Sequence, residues 1–169
     1  EQPGARERLD ITSLKGLLHE RKLVVIEGEG GSGKTTALVE LGHALLAEAL
    51  GAFALGFVLV PGSRRRIAPE AARAIGEALG PFVVRVGVFR NQPPEAVLRL
   101  LEEARLQVAQ LHGEEPPEWA EAVGRFYPVI KAFPLEGPAR PEWADYPAQA
   151  LLLDGKRPGS GEAYPRAWA

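Results

Sequence analysis

Residues Gly28-Glu29-Gly30-Gly31-Ser32-Gly33-Lys34-Thr35 match the pattern G-x-x-x-x-G-K-[ST] at every fixed position, and Thr36 adds a second hydroxyl. Glycines at this spacing let successive backbone N–H groups turn inward onto phosphate oxygens, and the positive end of a following helix adds to their field. Lys34 would reach the outer phosphates of a nucleotide, and the Thr35 hydroxyl would ligate Mg²⁺. The ligand expected from these residues is ATP or GTP with Mg²⁺, or at the least phosphate or sulfate. Hydrolysis asks for a second acidic residue at a strand end. Ala150-Leu151-Leu152-Leu153-Asp154 has that form, which makes Asp154 and Thr35 the candidate metal ligands. No arginine finger stands out, although Arg64-Arg65-Arg66 could approach a phosphate, so little or no hydrolysis is expected.

A phosphate loop works only between a strand and a helix, and both are predicted here. Leu23-Val24-Val25-Ile26 is a short β-branched run of the kind buried on both faces of a parallel sheet. From Lys34 to Leu50 the residues Leu38, Leu41, Leu45, Leu46 and Ala49 form a helical stripe, and Gly51 is its C-terminal stop. Upstream, Asp10 can cap a short helix bearing Ile11, Leu14, Leu17 and Leu18. Downstream the alternation repeats: strand 53–60, helix 69–79, strand 82–89, helix 94–104, strand 108–111, helix 117–125, strand 129–133. An irregular Pro-rich stretch follows, and then the strand that begins at Ala150. About six strands alternating with helices predict an α/β fold with a parallel sheet and right-handed crossovers. Two architectures fit: a partial (β/α) barrel, or an opened P-loop or flavodoxin-like sheet. A complete eight-stranded barrel typically takes about 250 residues and seldom fewer than about 200. This chain has 169.

Composition narrows the partners. With 20 Lys plus Arg against 22 Asp plus Glu, the net charge is -2, which provides no general field for nucleic acid or an anionic membrane. Any anion must be held locally. Zero Cys excludes a disulfide scaffold, a thiolate metal site and a cysteine nucleophile. There is no Met either, not even at position 1. No apolar run approaches the ~18 residues of a membrane span, and a cytoplasmic protein is expected.

Two resemblances attach to these residues. Residues about 10–41, with the glycine loop at their centre, resemble the start of a P-loop NTPase. From about residue 43 to 169 the chain resembles phosphoribosylanthranilate isomerase of tryptophan biosynthesis. That likeness runs through Pro61-Gly62-Ser63-Arg64-Arg65-Arg66, Val86-Gly87-Val88-Phe89, Gln110-Leu111-His112-Gly113-Glu114, Val129-Ile130-Lys131-Ala132 and Leu152-Leu153-Asp154. It implies a (β/α)₈ barrel that opens an aminated ribose 5-phosphate and isomerises it with an acid and a base. Carried over, Asp154 matches the general acid and Arg65 the contact to the anthranilate carboxylate. The family's base is a Cys in Lys-x-Cys-Gly; the matching segment here reads Val25-Ile26-Glu27-Gly28, so Glu27 stands at the base position. The family's strands seven and eight have no counterpart before Ala169.

Together these features suggest a chimera in one α/β domain over 1–169: a P-loop-bearing segment, 1–42, joined to an isomerase-like barrel fragment, 43–169, near Leu41–Ala44. The leading expectation is an engineered or chimeric module that binds nucleotide phosphates through Gly28, Gly30, Gly31, Ser32, Gly33, Lys34, Thr35 and Thr36. The second is isomerase activity with Glu27 as base and Asp154 as acid. A third is a folded recombinant without selected activity. Exposed sheet edges would favour pairing between copies, hence a homodimer.

Overall fold

Pro69-Glu70, Pro94-Glu95 and Pro117-Glu118 each open a helix, and Pro141-Glu142 opens a 3₁₀ helix. Proline at the first helical position has its ring angle already set for a helix and loses only an N–H that the helix would leave unpaired. The glutamate beside it meets the positive end of the helix dipole. No side chain caps any of these starts, so this pair supplies the start signal.

The computed structural model describes residues 23–26, 33–135 and 140–155, with side chains over 41–135 and 140–154. Within it the chain runs β1 (Leu23–Ile26), α1 (Gly33–Ala49), β2 (Ala54–Val58), α2 (Pro69–Ala78), β3 (Val84–Phe89), α3 (Pro94–Glu103), β4 (Val108–Leu111), α4 (Pro117–Gly124), β5 (Val129–Leu135), the 3₁₀ helix (Pro141–Asp145) and β6 (Ala150–Gly155). The helix expected after Asp10 lies outside the described residues. Helix α1 ends as expected at Gly51, which takes φ 90, while the N–H groups of Gly51 and Ala52 close back on Glu48 and Ala47 at 2.8 and 2.9 Å. Only a residue free of a Cβ takes that left-handed turn cheaply.

All six strands are parallel and lie in chain order, β1-β2-β3-β4-β5-β6. A doubly wound sheet starts near its middle and reverses direction. This one never reverses, so the fold is the partial barrel, and the P-loop or flavodoxin-like alternative is excluded. The strand order also puts β1 and β6 at opposite ends. Asp154 therefore does not stand on a strand beside the glycine-loop strand, as a Mg²⁺-ligating partner of Thr35 would require.

Strand residues alternate between two faces. Leu55, Phe57, Phe89, Ala109, Leu111 and Val129 pack outward with helix residues such as Ala47, Ile75, Val97, Leu101 and Val123 into the main core. The inner face carries Val58, Val88, Gln110, Ile130 and Ala150, which fall in one cross-strand row. Among the described residues no helix is long and apolar enough to cross a membrane.

Phe57 is 0% exposed in this core, whereas Phe82 in the α2–β3 connection is 91% exposed. Phe57→Ala is expected to lower the unfolding free energy by about 3–5 kcal/mol, and Phe82→Ser to change it by less than about 0.5 kcal/mol. Urea denaturation of both variants measures this; equal losses would contradict the placement of the core.

Candidate active site

Every strand points the same way, so the C-terminal ends of β2, β3, β4, β5 and β6 gather at one end. On the inner face at that end, His112 Nε2 lies 3.1 Å from Asp154 Oδ2 and Gln110 Nε2 lies 3.0 Å from His112 Nδ1. An amide nitrogen can only donate, so Nδ1 is the acceptor and the imidazole proton sits on Nε2, directed at Asp154. The contact spans an intervening strand. Extending the β4–β5 register one step beyond Leu111↔Lys131 brings His112 level with Ala132, and Pro134 is level with Asp154. The alanine leaves room for the imidazole to reach across. The backbone N–H of His112 donates to Phe89 O at 2.8 Å, which ties the histidine to β3.

The opposite face of the same strands holds a buried ion pair. Lys131 is two residues on from the core residue Val129, and its Nζ lies 2.5 Å from Glu115 Oε2; their side chains are 2% and 0% exposed. Lys131 also donates to Gly113 O at 2.6 Å, and Glu115 accepts from the N–H groups of Asn91 and Gly113 at 2.8 and 2.9 Å. Asn91, at φ 53, accepts from Glu114 N at 2.7 Å. A side chain at Gly113 would press on the Asn91 amide, so Asn91 and its bond to Glu114 would have to shift to admit one. Tyr146 closes the cluster by donating to Glu115 O at 3.0 Å, and the Phe133 ring stacks on Trp143 at 4.7 Å. Burial pushes the Glu115 carboxyl up, but the hydrogen bond from Lys131 and the backbone donors led by Asn91 outweigh it and hold the group below its ordinary value. Burial, with the charges of Glu115 and Glu118, pushes the Tyr146 hydroxyl up to about 12.

Of the residues expected from sequence, Asp154 is at this site, and Arg65 is exposed in the β2–α2 loop at the same end of the sheet. Glu27, Gly28, Gly30, Gly31 and Ser32 lie outside the described residues. Gly33, Lys34, Thr35 and Thr36 form the first turn of α1, and their side chains also lie outside. Among the described residues no group of three His, Asp or Glu is placed to hold a metal ion. Sequence reasoning assigned no role to Gln110, Asn91, Glu115, Lys131 or Tyr146. The available signal was a polar residue inside an apolar strand: Gln110 in Val108–Leu111 and Lys131 in Val129–Leu135.

Comparison with known proteins decides between the two resemblances. The profile of the N-(5'phosphoribosyl)anthranilate (PRA) isomerase family matches residues 33–166. The chain belongs to this family. It is 40% identical over 144 residues to the N-(5'-phosphoribosyl)anthranilate isomerase of Deinococcus radiodurans, covering 80% of this chain and 67% of that one. The crystal structure of phosphoribosyl anthranilate isomerase from Thermus thermophilus superposes with a TM-score of 0.76 at 84% identity, over 87% of this chain and 68% of that one. A further isomerase, solved in complex with reduced 1-(o-carboxyphenylamino)-1-deoxyribulose 5-phosphate, superposes at 0.61 with 37% identity, over 79% of this chain and 63% of that one. The chain thus spans about two thirds of the length of these isomerases.

The leading expectation from sequence, a nucleotide-binding module, is overturned by this match. The isomerase match begins at Gly33, inside the segment read as NTPase-like, and runs across Leu41–Ala44, where a join was expected. Helix α1 is accordingly the first helix of the isomerase barrel. The glycine pattern misled because its few fixed positions, two glycines, Lys and Thr, also occur at a glycine-rich strand-to-helix turn outside that fold.

A carboxyl held below its ordinary value stabilises the fold fully above its unfolded value, and that contribution is lost as pH falls through the folded value. The melting temperature should therefore drop as pH falls below about 4.3, with a shallower drop for Glu115→Gln. At pH 7 the same variant should lose about 3–5 kcal/mol, because the Lys131 ammonium stays buried without its partner. Thermal melts from pH 3 to 7 would discharge Glu115 from this role if variant and native profiles ran parallel.

Proposed function

We propose that this chain has the isomerase chemistry of its family, acting on an N-(5'-phosphoribosyl)anthranilate substrate in tryptophan biosynthesis. The observation that carries the reading is the His112–Asp154 pair at the C-terminal end of the sheet, where barrel enzymes place their chemistry. Ring opening requires a proton delivered to the ribose ring oxygen as its bond to C1 breaks and C1 becomes an iminium carbon, and isomerisation then requires the proton on C2 to be removed. Asp154 is the acid. With Oδ2 engaged by His112, Oδ1 is the oxygen left for substrate. Glu27, one residue beyond β1, stands at the base position, where a carboxylate replaces the family's thiol. Arg65, exposed at the same end, is the group for the anthranilate carboxylate. The ligand seen in a related isomerase carries the same carboxyphenyl and sugar phosphate ends.

The test uses the full chain in a tryptophan auxotroph that lacks the isomerase, together with turnover of the purified protein. Growth is expected with the native chain. Asp154→Asn and Glu27→Gln should each lower kcat by about 10²–10⁴-fold, the usual weight of a single acid or base. Growth equal to the empty vector, with soluble protein present, would overturn the proposal.

A further inference from the structure

On the helix side of the strands, the β2–α2 and β3–α3 connections and the first turns of α2 and α3 enclose a groove of about 770 Å³. Leu59 and Leu100 of the main core line it, together with Pro93 and Ala96. Gln92 lines it too, although only 8% of that residue is exposed. Its Oε1 is turned back towards the Arg90 N–H at 3.5 Å, and its Nε2 donates to no group among the described residues. Turning the amide over would set N–H against N–H. Gln110 Oε1 is the one fully covered side-chain atom without a partner among the described residues, so Gln92 Nε2 keeps some open surface, and the groove is the opening that Gln92 lines. A nearly buried donor left unpaired calls for an explanation. Gln92 is also held in place: the preceding residue, Asn91, donates its N–H to Glu115 and accepts from Glu114 N.

We infer that this groove binds a zwitterionic amino acid with an apolar side chain. Gln92 Nε2 asks for an acceptor, and the positive ends of α2 and α3, neither of which has a side-chain cap, favour an anionic one. Arg66 lines the groove and forms no ion pair among the described residues, so its charge is available to a carboxylate. Arg99, the other cation of the lining, is already paired with Glu103 at 3.0 Å. Glu70 lines the same groove without an ion-pair partner among the described residues and takes an ammonium. The two arginines and two glutamates of the lining cancel, so a molecule with one charge of each sign is matched, whereas a phosphate dianion is not. Leu59, Leu100, Pro93 and Ala96 receive the apolar side chain. His112, Asp154 and Arg65 do not line the groove, so this site is separate from the isomerase chemistry proposed above and goes beyond it.

The experiment titrates the ¹⁵N-labelled full chain with L-phenylalanine, using calorimetry for affinity and the Gln92 side-chain ¹⁵Nε2 resonance as a direct probe of the amide. A saturable shift of that resonance is expected in the native protein. Gln92→Met, close in shape, should bind at least about ten-fold more weakly, as for a lost hydrogen bond to a charged group. Glu70→Gln supplies a test of sign at an exposed position where folding is not at stake. It should weaken phenylalanine by about two- to five-fold, yet tighten 3-phenylpropionate, which lacks the ammonium that Glu70 attracts. Arg66→Gln should weaken both, and Arg65→Ser neither. An unmoved Gln92 resonance would overturn the site, as would equal responses of the two probes to Glu70→Gln. Inorganic phosphate that shifts Gln92 as strongly as phenylalanine would replace the amino acid by a simple anion and overturn the proposal. Loss of phenylalanine binding in Arg65→Ser would move the probe to the substrate end of the sheet and overturn it as well. None of these readouts involves turnover, so the isomerase reading stands or falls separately.

Discussion

Lys131 and Glu115 form an ion pair with side chains 2% and 0% exposed, and the upper end of the sheet is organised around it. Two charges taken out of water repay the cost only when their remaining hydrogen-bonding capacity is filled. Here Asn91 after β3 and Gly113 after β4 fill it, and Tyr146, between β5 and β6, joins them by donating to the Glu115 backbone carbonyl. The pair holds three connections in one arrangement. Gly113 lies within that arrangement and His112 precedes it, so the loop that begins at the histidine is set by an ionic cluster on the far side of the strand.

That division of labour follows from the two-residue period of a strand. Lys131 faces the helices, while Gln110 and the positions in register with it face the interior. One face is fully paired. The other keeps a short polar chain, Gln110 to His112 to Asp154, that ends in an unpaired oxygen. Stability and chemistry are built on opposite sides of the same short strands, which lets the first be satisfied without closing off the second.

The glycine-rich segment shows how a local pattern can outweigh a longer one. Eight residues with the right flanks state a complete phosphate-binding chemistry, whereas the isomerase likeness is spread over 33–166 with few residues in each stretch. The longer pattern is the more informative because it constrains strand order as well as residue type. A consecutive β1 to β6 order is what a barrel requires and what a doubly wound nucleotide fold lacks.

Much of the fold was legible because it is local. The strands Leu23–Ile26 and Val108–Leu111 are those read from sequence, and the helix starts at Pro69, Pro94 and Pro117 follow from proline's fixed backbone angle. Strand β5 was read short because Pro134 breaks the pattern, yet the strand continues to Leu135, with Pro134 exposed. Asp154 could be singled out from its apolar run, and His112 as a strand-end residue able to line a site; that the two meet could not. His112 and Asp154 are 42 residues apart, and Glu115 and Lys131 are 16 apart. Sequence by itself determined the alternation of elements, the candidate acid and the family likeness, since each is written in residue types and short spacings. Only the tertiary structure decided which polar groups meet, because that depends on strand register and on a small residue at Ala132, and neither is encoded by local propensity.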